Sequence, residues 1–185
     1  MIAAPLPGIG LRMNKRIAVS IAAGAVAIAV PAQAAAPGVS AQDENYLQTA
    51  AAGATFEIKG GQLALQRSQN PQIRALATTL IKDHKKELSQ VKSVAKSEGV
   101  PKVDAVPTGS QSWELRTLQG KTGTDFDKAY ADLEVSDHHD DISDSKFEIA
   151  KGSSAVVRKQ AKGYLPTLSR HLKLSRAALK AVGGP

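Results

Sequence analysis

NPQIRALATTLIKDHKKELSQV, residues 70–91, is the stretch that decides the fold. Asn70 is a helix-capping residue type, and Pro71 suits the first helical position, where a missing N–H costs nothing. Ile73, Leu76, Leu80, Leu88 and Val91 then recur at helical spacing, which predicts an amphipathic helix. His84 stands four residues after Leu80 and four before Leu88, with Glu87 three further on. Both ionisable groups therefore fall on the stripe that packs inward. Ala95 extends the pattern, and Gly99 and Pro101 end it.

Upstream, Ser40 with Asp43 reads as a capping box. Leu47, Ala51, Ala54, Ile58 and Leu65 carry a first helix to about residue 69. These two helices form a hairpin about Asn70. Downstream, residues 99–124 hold Pro101, Pro107, Gly109, Gly120 and Gly123, and read as a long connection. Within it Ser110–Gln119 is expected to form a short helix that places Trp113 and Leu118 on the core. Thr124 is the expected cap of a third long helix, with Asp125 and Asp127 in its first turn. It runs to about Lys151. Gly152 stops it, and Ser153 or Ser154 caps a fourth helix that ends near Gly183 and Gly184. Pro166 falls inside this last helix and is expected to kink it. The prediction is an all-α domain over residues 41–182. Two hairpins joined by a long crossover make the ferritin-like form of a four-helix bundle.

The remaining polar residues on the predicted stripes are Glu57, Glu134, His138 and His171. Glu57 is three residues after Ala54, His138 four before Ile142, and His171 three after Leu168. Their heights agree. Glu57 lies 13 residues before Asn70 and His84 lies 14 after it. Glu134 lies 18 before Gly152 and His171 lies 18 after Ser153. At about 1.5 Å rise per residue, Glu57, His84, Glu87, Glu134, His138 and His171 share one narrow band, provided the two hairpins dock level. Imidazoles with carboxylates in a bundle core suit a transition metal ion such as Zn, Cu, Mn or Fe. Asp83 and Tyr130 are placed to orient those ligands by hydrogen bonds. The same six residues also suit a metal-free polar network that fixes helix pairing. His139 points elsewhere, and Asp137, Asp140, Asp141 and Asp144 read as a solvated acidic face, or as one that attracts cations weakly. Small residues at Gly60 and Gly61 let a neighbouring helix approach.

Composition excludes much else. No Cys is present, so there is no disulfide, thiolate nucleophile or iron–sulfur site. Aromatic residues make up 4%, too few for a base-stacking platform. The net charge of +7 owes much to one end of the chain. Arg12, Lys15 and Arg16 precede an uncharged run from Ile17 to Val30, and Pro31 leads into Ala32-Gln33-Ala34. This is the pattern of a secretory signal peptide cleaved after Ala34. The run of 14 residues is shorter than the ~20 of a spanning helix. Cleavage would leave 151 residues, 35–40 as a flexible start, and a net charge of +4, because three bases and no acids leave with residues 1–34. That balance gives no basis for nucleic-acid binding, and no transmembrane segment is expected in the mature chain. The expected location is the periplasm or cell envelope. No nucleophile elbow or phosphate-cradling loop appears. Oligomeric state is not readable.

Four stretches carry a resemblance: Leu63 to Pro71, Lys82-Asp83-His84, Phe126 to Tyr130, and Leu165 to Leu172. Together they resemble an exported bacterial family, the domain of unknown function 4142, over about residues 41–182. The resemblance implies a ferritin-like four-helix fold and no settled activity. It places Glu57, Asp83, His84, Asp127, Tyr130, His138 and His171 at the family's motif positions. Its members are sometimes labelled outer-membrane proteins, yet this sequence lacks barrel-like alternation. Ferritin-like di-iron enzymes carry Glu-x-x-His on two helices. Here helix two has the reverse order, His84-x-x-Glu87, and helix three has Glu134-x-x-x-His138. The expected function is thus a metal-binding exported protein. A non-enzymatic envelope or stress protein with a structural polar core is the alternative, and a ferritin-like oxidase ranks last.

Overall fold

Side-chain caps begin four of the five helices. The computed structural model describes residues 38–184, and the expected export segment, residues 1–34, lies outside them. The helices are α1 (Ala41–Arg67), α2 (Pro71–Ser97), α3 (Gly109–Gln119), α4 (Gly123–Lys151) and α5 (Ala155–Ala181). No strand occurs among the described residues. No helix among them is long and apolar enough to cross a membrane.

The start signals act as the local chemistry requires. The Ser40 hydroxyl accepts from the Asp43 backbone N–H, and the Asp43 carboxylate accepts from the Ser40 backbone N–H, completing the capping box of α1. Asn70 Oδ1 accepts from the Gln72 and Ile73 N–H groups at the start of α2. Ser154, rather than Ser153, caps α5 through the Val156 and Val157 N–H groups. Such caps contribute about 1 kcal/mol each. Thr124 is not the cap of α4. That helix already begins at Gly123, after Thr122, whose side chain makes no capping bond. Gly123 takes φ +57, so it turns the chain into the helix before Thr124 is reached. α5 runs through Pro166 without a break.

A turn of three residues joins α1 to α2, and another joins α4 to α5, so each pair is antiparallel. α1 also packs on α4, and α2 on α5. α3 lies in the crossover against α1 and α4. Its Leu118 is buried as expected, whereas Trp113 is 62% exposed. Five residues apart on an α-helix, the two side chains point in different directions, and only Leu118 reaches the core. The crossover is held to α1 by paired bonds between the Gln48 side chain and the Asp104 backbone, at 2.7 and 3.0 Å.

The hairpins dock level because one end of the bundle is bolted. Asp43 on α1 accepts from the backbone N–H groups of Ser153 and Ser154 at 3.1 and 3.0 Å. The Ser154 hydroxyl donates to Glu98, just past α2, at 2.6 Å. Starts and ends of four helices are thereby tied at one height. The apolar core above that end is not continuous. One cluster includes Tyr46, Leu47, Ala51, Val91, Ala95, Val157 and Ala161. Another includes Leu63, Ile73, Leu80, Phe126, Tyr130 and Leu179. Along α1, α2 and α5, the residues between these clusters include Glu57, His84 and His171, all fully buried.

Candidate metal centre

The polar layer between the clusters gathers all six residues expected there. His84, His138 and His171 come from α2, α4 and α5, with ring centroids 5.1 to 5.6 Å apart. Glu57 enters from α1. Its Oε2 lies 3.9 Å from His84 Nε2, and its Oε1 lies 3.6 Å from His138 Nδ1. Glu134, one turn before His138, places Oε2 3.8 Å from the same nitrogen. Glu87 also reaches the layer, but its Oε2 is engaged at 2.8 Å by His84 Nδ1.

Each imidazole has one nitrogen held and one bare. His138 Nδ1 donates to the Glu134 backbone carbonyl at 2.7 Å, an acceptor that admits only an N–H. His171 Nε2 donates to Asp83 at 3.0 Å. His84 Nδ1 pairs with Glu87. The remaining nitrogens, His84 Nε2, His138 Nε2 and His171 Nδ1, are buried without any hydrogen-bond partner. One ring nitrogen from each of the three histidines lies within 4.8 Å of the others. A held nitrogen that fixes the tautomer, with the other left to coordinate, is the arrangement of metal-binding histidines. Both oxygens of Glu57 and Oε2 of Glu134 are likewise buried and unpartnered. Glu57, Glu134 and His138 form a second ligand group within the same limit.

The profile of a family described as Domain of unknown function (DUF4142) matches residues 29–178. The chain belongs to the DUF4142 family. A crystal structure of a DUF305 fragment from Deinococcus radiodurans is similar in fold, with a TM-score of 0.69 at 13% identity. The similarity covers 78% of this chain and 99% of that one. No curated protein matches the sequence.

In this DUF4142 chain the acidic face expected beyond His138 is divided. Asp140 and Asp144 are exposed, as expected. Asp137 and Asp141 are half-buried, and with Glu57 they make a third group of converging carboxylates. Their spacing was the available signal. Asp137 is three residues after Glu134, and Asp141 three after His138, so both border the buried stripe. His139 points away, with Nε2 2.6 Å from an Arg176 nitrogen at the surface. Asp83 does orient His171, and it also accepts from Arg170 at 2.6 Å. Tyr130 lies beside Glu134, but its hydroxyl makes no hydrogen bond of good geometry. Asp127 is buried two turns before Glu134 and joins none of the ligand groups.

The electrostatics follow from burial. It holds His138 down to about 3, with the neighbouring imidazoles adding to the effect. It holds His171 down to about 4 against the pull of Asp83. Both rings are therefore neutral at pH 7, the state that coordinates a metal. Burial raises Glu57 well above the ordinary carboxylate range, and Glu134 and Asp137 raise it further. Burial pushes Glu134 up to about 7. Asp137 and Asp141 are raised chiefly by the same cause. Asp83 departs the other way. Burial works to raise it, but hydrogen bonds from His171 and Arg170 outweigh that and lower it. The layer thus sets the neutral nitrogen donors of His138 and His171 beside buried carboxyl groups that no Lys or Arg among the described residues pairs, and a divalent ion would favour their ionised form.

Proposed function

We infer that this protein is an exported, ferritin-like four-helix bundle that binds a transition metal ion through His84, His138 and His171. The observation that carries this reading is that His84, His138 and His171 each bring a ring nitrogen within 4.8 Å of the others, while each ring has one nitrogen held and one buried without a partner. Glu57 and Glu134 are the carboxylates in reach to complete the coordination. A nitrogen-rich set with one or two carboxylates suits Zn2+ or Cu2+ best, with Mn and Fe served less well. Glu87, Asp83 and the Glu134 carbonyl would hold the imidazoles in place. Export rests on the basic, apolar and small-residue pattern of residues 12–34.

Elemental analysis of the protein, purified without a histidine tag, tests this reading. One transition metal ion per chain is expected. His84→Ala and His171→Ala should lose it while keeping their helical circular dichroism. Full metal content in both variants refutes the ligand assignment. A second reading is a metal-free polar layer in an envelope or stress protein. It is favoured by the raised carboxyls, since a proton shared between Glu57 and Glu134 also neutralises the layer. Under that reading, no thermal shift follows addition of Zn, Cu, Mn or Fe.

A further inference from the structure

Glu57 faces two ligand groups. One lies among the histidines. The other, with Asp137 and Asp141 of α4, contains oxygen donors only. We propose that Glu57, Asp137 and Asp141 form a second cation site, which takes a hard divalent ion of the Mn2+, Mg2+ or Ca2+ class.

One oxygen from each of the three carboxylates lies within 4.8 Å of the others. Glu57 is fully buried, and neither of its oxygens has a hydrogen-bond partner. Asp137 Oδ2 is buried and unpartnered as well. Lys and Arg do not neutralise the group. Among the described residues their ion pairs go to Asp104 and Asp83. Three ionised carboxylates would carry three negative charges with no basic side chain in contact, an arrangement that costs several kcal/mol per ion unless a cation joins it. Asp141 faces Gly53, one turn before Glu57 on α1. A Cβ there would stand 3.6 Å from Asp141 Oδ1.

The donor chemistry separates this site from its neighbour. Carboxylate oxygens with room for water suit hard cations, whereas imidazole nitrogens suit Zn2+ and Cu2+. Asp137 and Asp141 are half-buried rather than sealed, so water can complete a coordination shell of six or more. With Glu57 within reach of both groups, ions at the two positions would share it.

Mn2+ added to the metal-stripped native chain, with free Mn2+ followed by electron paramagnetic resonance, tests the proposal. One Mn2+ bound per chain is expected, with binding retained in His84→Ala and His171→Ala. Asp137→Asn and Asp141→Asn should each weaken Mn2+ binding by more than about tenfold. Asp140→Asn, on the exposed side of α4, should leave it unchanged. Asn matches Asp in shape and relieves repulsion, so these variants should fold, which a thermal melt verifies. Absence of bound Mn2+ overturns the proposal. So does Mn2+ binding that Asp141→Asn leaves intact, or that the histidine variants abolish. Zn2+ uptake is read separately. Failure of Zn2+ to bind, with Mn2+ binding intact and sensitive to Asp141→Asn, supports this site while refuting the histidine centre.

Discussion

Replacing Asp83 by Ala should weaken transition-metal binding without removing a ligand. Asp83 Oδ2 accepts from His171 Nε2 at 3.0 Å, and this bond holds the proton on Nε2 and leaves Nδ1 bare. Without it, the proton is free to sit on Nδ1, which blocks coordination, and the ring is free to turn. Loss of a partner that orients a metal-binding histidine lowers affinity by about 10- to 100-fold. That corresponds to about 1.4–2.7 kcal/mol. The other two imidazoles keep their own supports, Glu87 and the Glu134 carbonyl, so binding is weakened rather than abolished. Arg170→Ala is the control. It removes the partly exposed ion pair to Asp83 but leaves the Asp83–His171 bond, and exposed pairs contribute about 0–1 kcal/mol. Competition of the protein with a chromophoric chelator for Zn2+ measures both variants against wild type. The expected order of affinity is wild type, then Arg170→Ala close behind, then Asp83→Ala at least about tenfold weaker. Equal affinities in Asp83→Ala and wild type would falsify the assigned tautomer and the role of His171. Equal losses in both variants would show that the Arg170–Asp83 pair as a unit, rather than the Asp83–His171 bond alone, supports the ring, because the two substitutions change the net charge in opposite directions.

Asp43→Ala should destabilise the fold by about 2–4 kcal/mol, because it removes the α1 capping box and the bonds to the Ser153 and Ser154 N–H groups together; urea melts of the variant and wild type give the difference. The same carboxylate is set at about 2 in the folded protein, burial working to raise it but the bonds from Ser40 and its neighbours lowering it further. Its contribution is therefore full above the unfolded value of about 3.9 and is lost as pH falls from there towards 2. The stability gap between wild type and Asp43→Ala should shrink over that window, and a gap that widens on acidification contradicts the assignment. Gly61→Ala should cost about 1–3 kcal/mol, since a Cβ would stand 2.7 Å from Ile81 Cγ1 and 3.1 Å from the Ala77 carbonyl. Gly60→Ala meets nothing nearer than 3.6 Å and should stabilise α1 by up to about 1 kcal/mol, so thermal melts of the two variants should move in opposite directions.

The extent to which the site was legible follows from particular residues. His84 could be placed inward because Leu80 and Leu88 flank it at four-residue spacing, a relation within one helix. The same reasoning placed Glu57, Glu134, His138 and His171, and all are buried. It failed for Trp113, expected on the core beside Leu118 but 62% exposed. Eleven residues of α3 offer too little pattern to settle which face packs. It also failed for Asp137 and Asp141, because a residue at the edge of a stripe is buried or exposed according to how closely the next helix approaches. Here α1 packs on α4, and Asp141 lies against α1 at Gly53.

Sequence by itself determined the four long helices, the caps at Ser40 and Asn70, the two hairpins, the crossover and the family. Each of these depends on neighbours along the chain or within two helical turns, where spacing fixes geometry. Tertiary structure decided that the hairpins dock level, through Asp43 on Ser153 and Ser154 and through Ser154 on Glu98. It also decided which imidazole nitrogens are bare, since those depend on Glu87, Asp83 and the Glu134 carbonyl. Helical periodicity specifies the face a side chain occupies. It does not specify the rotation and height at which two helices meet, and at a distance of a few ångströms those two quantities determine which atoms come together.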